Sequence, residues 1–173
     1  MKMRYVDKLL EHPEFVRIQN EIKEWEQGRI YCHHELEHAL DVCRIAWVMY
    51  LEAHAREAME DAVLQEMKER FYIAGLLHDI GRACQYETGE HHSAAGSVIA
   101  KRILAEIGYP EAWSGEAVQI VGAHHGRTEF DGDCDSIGYY IQKADHLSRN
   151  CFLCDAADSC KWKKQERNET ITY

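Results

Sequence analysis

His78 and Asp79 stand side by side after an apolar run, FYIAGLL, and just before Gly81. An imidazole nitrogen and a carboxylate oxygen are both good ligands for a divalent cation, and the oxygen can bind one ion or bridge two. At the end of a buried helix such charge requires a partner. One dipeptide would be weak evidence, but the chain supplies company. His34 and His38 are four apart, a spacing that on a helix projects both from one side about one turn apart. His91-His92 precede one expected helix, His124-His125 end another, and Asp145 lies on a third. Eleven histidines is a high count for 173 residues, and their placement at helix ends or along one helix face says more than their number.

Two cations roughly 3.5–4 Å apart can lower the pKa of a bridging water, supply hydroxide near neutral pH and hold phosphoryl oxygens for in-line attack. No protein nucleophile is then needed. Arg82, three residues beyond Asp79, and Arg149, four beyond Asp145, can each neutralise phosphate through a bidentate contact, or else pair with one of the many acidic residues. Lys143 leaves its helix on another side. A histidine taken alone is more often a surface or hydrogen-bonded core residue, and His33 and His146 are read that way. The ordered set is what carries the metal-site reading.

That order, His38, His78-Asp79, His92, His124-His125, Asp145, resembles the HD-domain superfamily of metal-dependent phosphohydrolases, its binuclear branch in particular. The matching segments are HALDV, LLHDIGR, HSAAG, AHHG and KADHLSR, spanning about residues 31–149. The resemblance implies a core of about five helices, with His38, His78, Asp79 and Asp145 on a first divalent transition metal ion. His92, His124 and His125 would complete a second site, with Asp79 bridging. His92 is favoured over His91 because it precedes Gly96 by four. His34 falls where members related to the HD-GYP phosphodiesterases carry an extra ligand, a glutamate there. HHGRTEFDG replaces their motif, which speaks against cyclic-dinucleotide hydrolysis. Fe, Mn, Co, Ni, Zn or Mg could serve as the ions. Two alternatives stay open: the mixed-valent di-iron oxygenase chemistry of some superfamily members, and a metal- or ligand-binding regulatory module without turnover.

The elements that must position these residues read as helices. Only two prolines, eleven glycines and few β-branched runs among many Ala, Glu, Leu and Lys predict an all-α protein, a compact HD-domain-like bundle of about six helices. They are expected from Pro13 to about Gly28, His33 to Ala55, Glu57 into LLHDIG, a helix capped by Ser93, one capped by Ser114, and Ser136 to Arg149, with residues 3–10 as a short addition. One domain over residues 1–173 is expected, with the metal-binding core at about 31–149 and a cysteine-containing extension at 150–173. Its polar end reads as a docked turn and a solvated tail, with Lys161, Lys163, Lys164 and Arg167 as a solvated face.

A net charge of −10 argues against a broad nucleic-acid-binding face and leaves a small phosphorylated substrate, nucleotide favoured, which would need locally placed Arg or Lys. Trp113, Phe130, Tyr139 and Tyr140 could stack on a base, although aromatics are more often packing. No segment has signal-peptide or membrane-span character, so a cytoplasmic location without membrane contact is expected; the oligomeric state is left open. Seven cysteines read as reduced thiols. Cys151-x-x-Cys154 with Cys160, and Cys134 upstream, could bind a structural zinc, but the irregular spacing favours a reduced cluster.

Overall fold

Helix punctuation in the sequence accounts for most of the architecture. The computed structural model describes residues 2–123 and 133–173. Among them are eight α-helices and no strand: α1 (Arg4–Leu10), α2 (Pro13–Glu26), α3 (Leu36–Ala53), α4 (Asp61–Leu77), α5 (Arg82–Thr88), α6 (His92–Glu106), α7 (Glu111–Ala123) and α8 (Ile137–Leu147). Pro13 opens α2, where its fixed φ suits the first turn. Ser136 caps α8 by accepting the Tyr139 N–H at 3.2 Å. Gly108, at φ 69°, takes the left-handed position after α6.

Four expected starts move, α4 opening at Asp61 instead of Glu57. α3 begins at Leu36 instead of His33, so His34 lies in the preceding loop, held by Glu26, whose Oε2 accepts the His34 backbone N–H at 2.7 Å. His91, not Ser93, caps α6, its Nδ1 accepting the Ser93 N–H at 3.4 Å. Pro110 starts the next helix early, so Ser114 sits inside α7 with its N–H on the Pro110 carbonyl. The count rises to eight through the short α1 and through α5, which resumes after the turn at Gly81.

α4 is the axis of the fold. Ile73, Leu76 and Leu77 join a buried cluster with Leu9, Phe15, Ile18, Ile22, Ile103, Leu104 and Val121. Phe71 and Ala74 join another with Val42, Ala46, Tyr50, Ile120, Tyr140 and Ile141. A helix enclosed on two sides reads as nearly continuous apolar sequence, which is why FYIAGLL has no polar face. α3 lies close against it: a Cβ added to Gly75 would meet Cys43 Sγ at 2.6 Å. That approach sets the first turn of α3 beside the last turn of α4.

The extension is docked through Asn168, and residues 169–173 form the expected exposed tail. The extension contains three short 3-10 turns, Cys151–Leu153, Ala157–Ser159 and Lys164–Glu166. His146 Nε2 lies 2.8 Å from the Glu166 carbonyl, and Asn168 Nδ2 donates to the carbonyls of His146 and Arg149 at 2.8 and 2.9 Å. Tyr31 ties the extension to the loop before α3, donating to the Ser159 carbonyl at 3.2 Å. No helix among the described residues is long and apolar enough to cross a membrane.

Candidate metal centre

The turn His78–Gly81 is pressed against the start of α6. A Cβ on Gly81 would strike the His92 carbonyl and lie 2.6 Å from the Gly96 nitrogen, so only glycine permits the approach. His92 and Asp79 thereby come together, although they belong to different helical segments. α3 brings His38 and α8 brings Asp145 to the same place.

The Asp79 carboxylate is the centre of the arrangement. Its Oδ2 lies 3.3 Å from His78 Nε2 and 3.9 Å from His38 Nε2, and its Oδ1 lies 3.6 Å from His92 Nε2. The two oxygens thus face different histidines. His38 Nε2 is also 3.4 Å from Asp145 Oδ1. Ligand atoms of His38, His78 and Asp145 all lie within 4.8 Å of one another, a grouping able to hold a metal ion. His38 Nε2 is buried and makes no hydrogen bond among the described residues. An imidazole nitrogen desolvated in that way, between two carboxylates, fits a cation.

Hydrogen bonds fix the rings. His78 Nδ1 sits 2.6 Å from the Gly75 carbonyl, which takes the Nδ1 proton and leaves Nε2 for the site. His38 Nδ1 is 3.3 Å from Ser148 Oγ. Burial opposes a charged His78, but Asp79 and Asp145 outweigh it and raise its pKa. Burial likewise opposes ionised Asp145, yet His38, His78 and Arg149 hold its carboxyl well below the ordinary carboxylate range.

His34 reaches the cluster from its loop, its ring 5.8 Å from that of His38. Its Nδ1 lies 2.6 Å from Glu26 Oε1, and Tyr86 donates its hydroxyl to the same oxygen. Glu26 is 1% exposed; burial would raise its pKa, but the bonds from His34 and Tyr86 win and lower it to about 2. Burial lowers the pKa of His34 despite Glu26. The neutral ring gives its Nδ1 proton to Glu26 and keeps Nε2 as an acceptor. Glu26 had no sequence signal of its own, since acids at helix ends are common; it partners His34 because the loop after α2 folds back onto it, and the packing of α2 against α5 adds Tyr86.

A cavity of about 300 Å³ opens beside the cluster, lined in part by His34, Asp145, Arg82, Arg149, Arg29 and Lys161, with Tyr31 and Trp162 on its wall. Arg82 Nε donates to Asp79 Oδ1 at 2.8 Å, and Arg149 Nη2 is 3.6 Å from Asp145 Oδ2. Arg149 also lies over Trp162, its guanidinium carbon 4.3 Å from the ring centre, while its Nη1 is buried without a hydrogen bond among the described residues. Lys161 is exposed, as expected of a solvated face, and also lies on the rim of this cavity. The aromatic surfaces at the site are Tyr31 and Trp162. Trp113 packs on Tyr109, and Tyr139 and Tyr140 pack against each other beside Phe71. His33 bonds to Glu35 and the Arg29 carbonyl, and Lys143 lies over Tyr139. His124, His125 and Phe130 lie outside the described residues.

Comparison with known proteins bears directly on this arrangement. The HD domain profile matches residues 35–160. The chain belongs to the HD domain family. An uncharacterized protein of Clostridium beijerinckii is 32% identical over 165 residues, covering 95% of this chain and 96% of that protein. Ribonuclease Y of Acetivibrio thermocellus is 34% identical over 137 residues, 79% of this HD protein but 21% of the ribonuclease. The chain thus spans about a fifth of that relative's length. The fold is also that of a crystal structure described as a predicted HD superfamily hydrolase from an uncultured Thermotogales bacterium, with a TM-score of 0.54 and 24% identity over 90% of this chain and 82% of that one. The matched region contains every candidate ligand of the sequence reading except His34, which lies one residue before it.

Proposed function

We propose that this HD protein is a metal-dependent phosphohydrolase that cleaves a phosphoester or phosphoanhydride of a small, nucleotide-sized substrate. The observation that carries the reading is the pairing of a buried His/Asp cluster with a cavity bearing Arg29, Arg82, Arg149 and Lys161. In a chain of net charge −10, four cations on one cavity wall suit a compact anion.

His38, His78, Asp79 and Asp145 would hold one divalent ion, and Asp79, through its second oxygen, would share another with His92, His124 and His125. His34 would serve as an additional ligand. Metal bound there would make a water nucleophilic near neutral pH and draw charge from a phosphoryl oxygen. Arg149, with a buried and unbonded Nη1, and Arg82 would hold the remaining phosphoryl oxygens and orient phosphorus toward the cluster. Tyr31 and Trp162 would flank the organic part of the substrate. The ribonuclease Y relatives favour including a phosphodiester of RNA among the candidates.

The test is a survey of purified protein loaded with Mn, Co, Fe or Mg against nucleotides, dinucleoside polyphosphates, short oligoribonucleotides and simple phosphodiesters. Phosphate or nucleotide release from a small substrate is expected. Cleavage confined to oligoribonucleotides would overturn the small-substrate reading, and no product under any metal would overturn the hydrolase. Two tightly held irons with substrate-dependent oxygen uptake would assign oxygenase chemistry instead.

A further inference from the structure

Four of the seven cysteines converge where the extension meets the body of the protein. Cys32 comes from the loop before α3, and Cys151, Cys154 and Cys160 come from the extension. All four line one cavity of about 400 Å³. The others are scattered: Cys43 is buried between α3 and α4, Cys84 lies on α5, and Cys134 is exposed just before α8. Cys134 thus drops out of the set read from sequence, and Cys32, 119 residues before Cys151 in the chain, enters it.

We propose that Cys32, Cys151, Cys154 and Cys160 form a structural zinc site, separate from the His/Asp centre, that fastens residues 150–173 to the loop carrying His34. Cys151-x-x-Cys154 frames a 3-10 turn in which the Cys154 N–H bonds to the Cys151 carbonyl at 3.2 Å. Such a short turn presents two thiols from one tight loop, the usual half of a tetrahedral sulfur site. Cys160 follows the turn Ala157–Ser159, whose Ser159 carbonyl receives the Tyr31 hydroxyl. That bond sets Cys32, next to Tyr31, opposite Cys160.

The energetics point the same way. Among residues 150–173 only Ala156 is a buried hydrophobic residue, too little apolar burial to fix a segment built from three 3-10 turns. A four-thiolate zinc site supplies folding energy where a core cannot. Burial raises the Cys32 thiol pKa, nearby Arg149 opposes this, and the other three thiols add to the rise. A bound dication reverses that repulsion, and Arg149 and Arg29, the latter donating to the Cys32 carbonyl at 2.8 Å, offset the surplus negative charge. The sulfurs surround the cavity without meeting at a point; the donor groups already within 4.8 Å of one another are His/carboxylate sets. Zinc binding there requires the half-buried cysteines beside the open cavity to change rotamer.

Metal analysis of the His38→Ala/Asp145→Ala protein separates this site from the His/Asp centre. About one tightly held zinc per chain is expected to remain, and to be lost in the same background on adding Cys154→Ser or Cys32→Ser. The cysteine-intact chain carries a second readout that does not depend on those variants folding. Cobalt in place of zinc should give an intense thiolate charge-transfer band and the visible spectrum of tetrahedral cobalt, with the four cysteines protected from alkylation. Absence of the band, a disulfide among these residues under non-reducing mass spectrometry, or an iron–sulfur chromophore in the purified protein would each overturn the zinc site. Failure of every phosphatase assay would leave it standing.

Discussion

Asp79 draws four side chains together, with one oxygen toward His38 and His78 and the other toward His92 and Arg82. Asp79→Ala is expected to lose metal loading and bring turnover below detection while the far-ultraviolet circular dichroism stays helical, because a ligand serves the chemistry more than the core. Full activity would remove Asp79 from the centre. Arg149 is a different kind of group: a charge-assisted contact to phosphate is worth ~1.5–3 kcal/mol. Arg149→Ala should therefore lower kcat/KM by about 10–100-fold without changing metal content. Loss of metal together with activity would recast Arg149 as a support for Asp145. Gly81 shows a backbone requirement at the same scale. Gly81→Ala must displace α6 or the turn and should cost ~1–3 kcal/mol in denaturant unfolding; an unchanged midpoint would mean that the turn can yield.

At the scale of elements, the site exists because helix ends meet. The ends of α3, α4, α6 and α8 each deliver one or two candidate ligands, while the junction of α2 and α5 delivers Glu26 and Tyr86 to His34. Outer-shell carboxylates of this type tune a ligating histidine, so Glu26→Ala should weaken metal binding by about 10–100-fold, measured by titration with a chelator. An unchanged affinity would place His34 outside the coordination sphere. What the sequence disclosed, and what it withheld, follows from the range of each signal. The helices, and the candidate ligands His38, His78, Asp79, His92 and Asp145 that the structure brings together, were readable because periodicity, proline, glycine and the His-Asp spacing are local. Glu26, Arg29, Cys32 and Trp162 were not, since each acquires its role from a contact with a distant segment. His34 was placed on a helix by its four-residue spacing to His38, and a tertiary bond to Glu26 overrode that pattern. A pH effect also belongs here. His54 closes α3, its Nδ1 2.9 Å from the Tyr50 carbonyl and its Nε2 3.1 Å from Asp135 Oδ2. The backbone bond to Tyr50 raises its pKa, burial opposes it, and Asp135 adds to the rise, leaving the value above that of a free imidazole. The resulting stability is complete below the unfolded pKa of about 6.5 and fades as pH rises through the higher folded value. The Tm difference between the native chain and His54→Ala should therefore be larger at acid pH than at alkaline pH. A constant difference would exclude titration of His54 as its source.

Over the whole molecule, an excess of ten negative charges surrounds a cavity whose wall carries Arg29, Arg82, Arg149 and Lys161. On the proposed reading the distant field would disfavour long polyanions, whereas the local one would attract a compact anion that fits inside about 300 Å³. These two fields respond differently to salt. Screening shortens the reach of charge from ~10 Å at 0.1 M to ~3 Å at 1 M, so KM for a small phosphorylated substrate should rise several-fold across that range while kcat changes little. Lys161 is the separable contributor, because it comes from the docked extension and has no role among the candidate ligands. Lys161→Ala should raise KM at low salt and flatten the dependence, with metal content unaltered. A KM indifferent to salt in the native chain would mean that the cations only neutralise Asp79, Asp145 and their neighbours. The selectivity for an anion would then have to come from the metal centre alone.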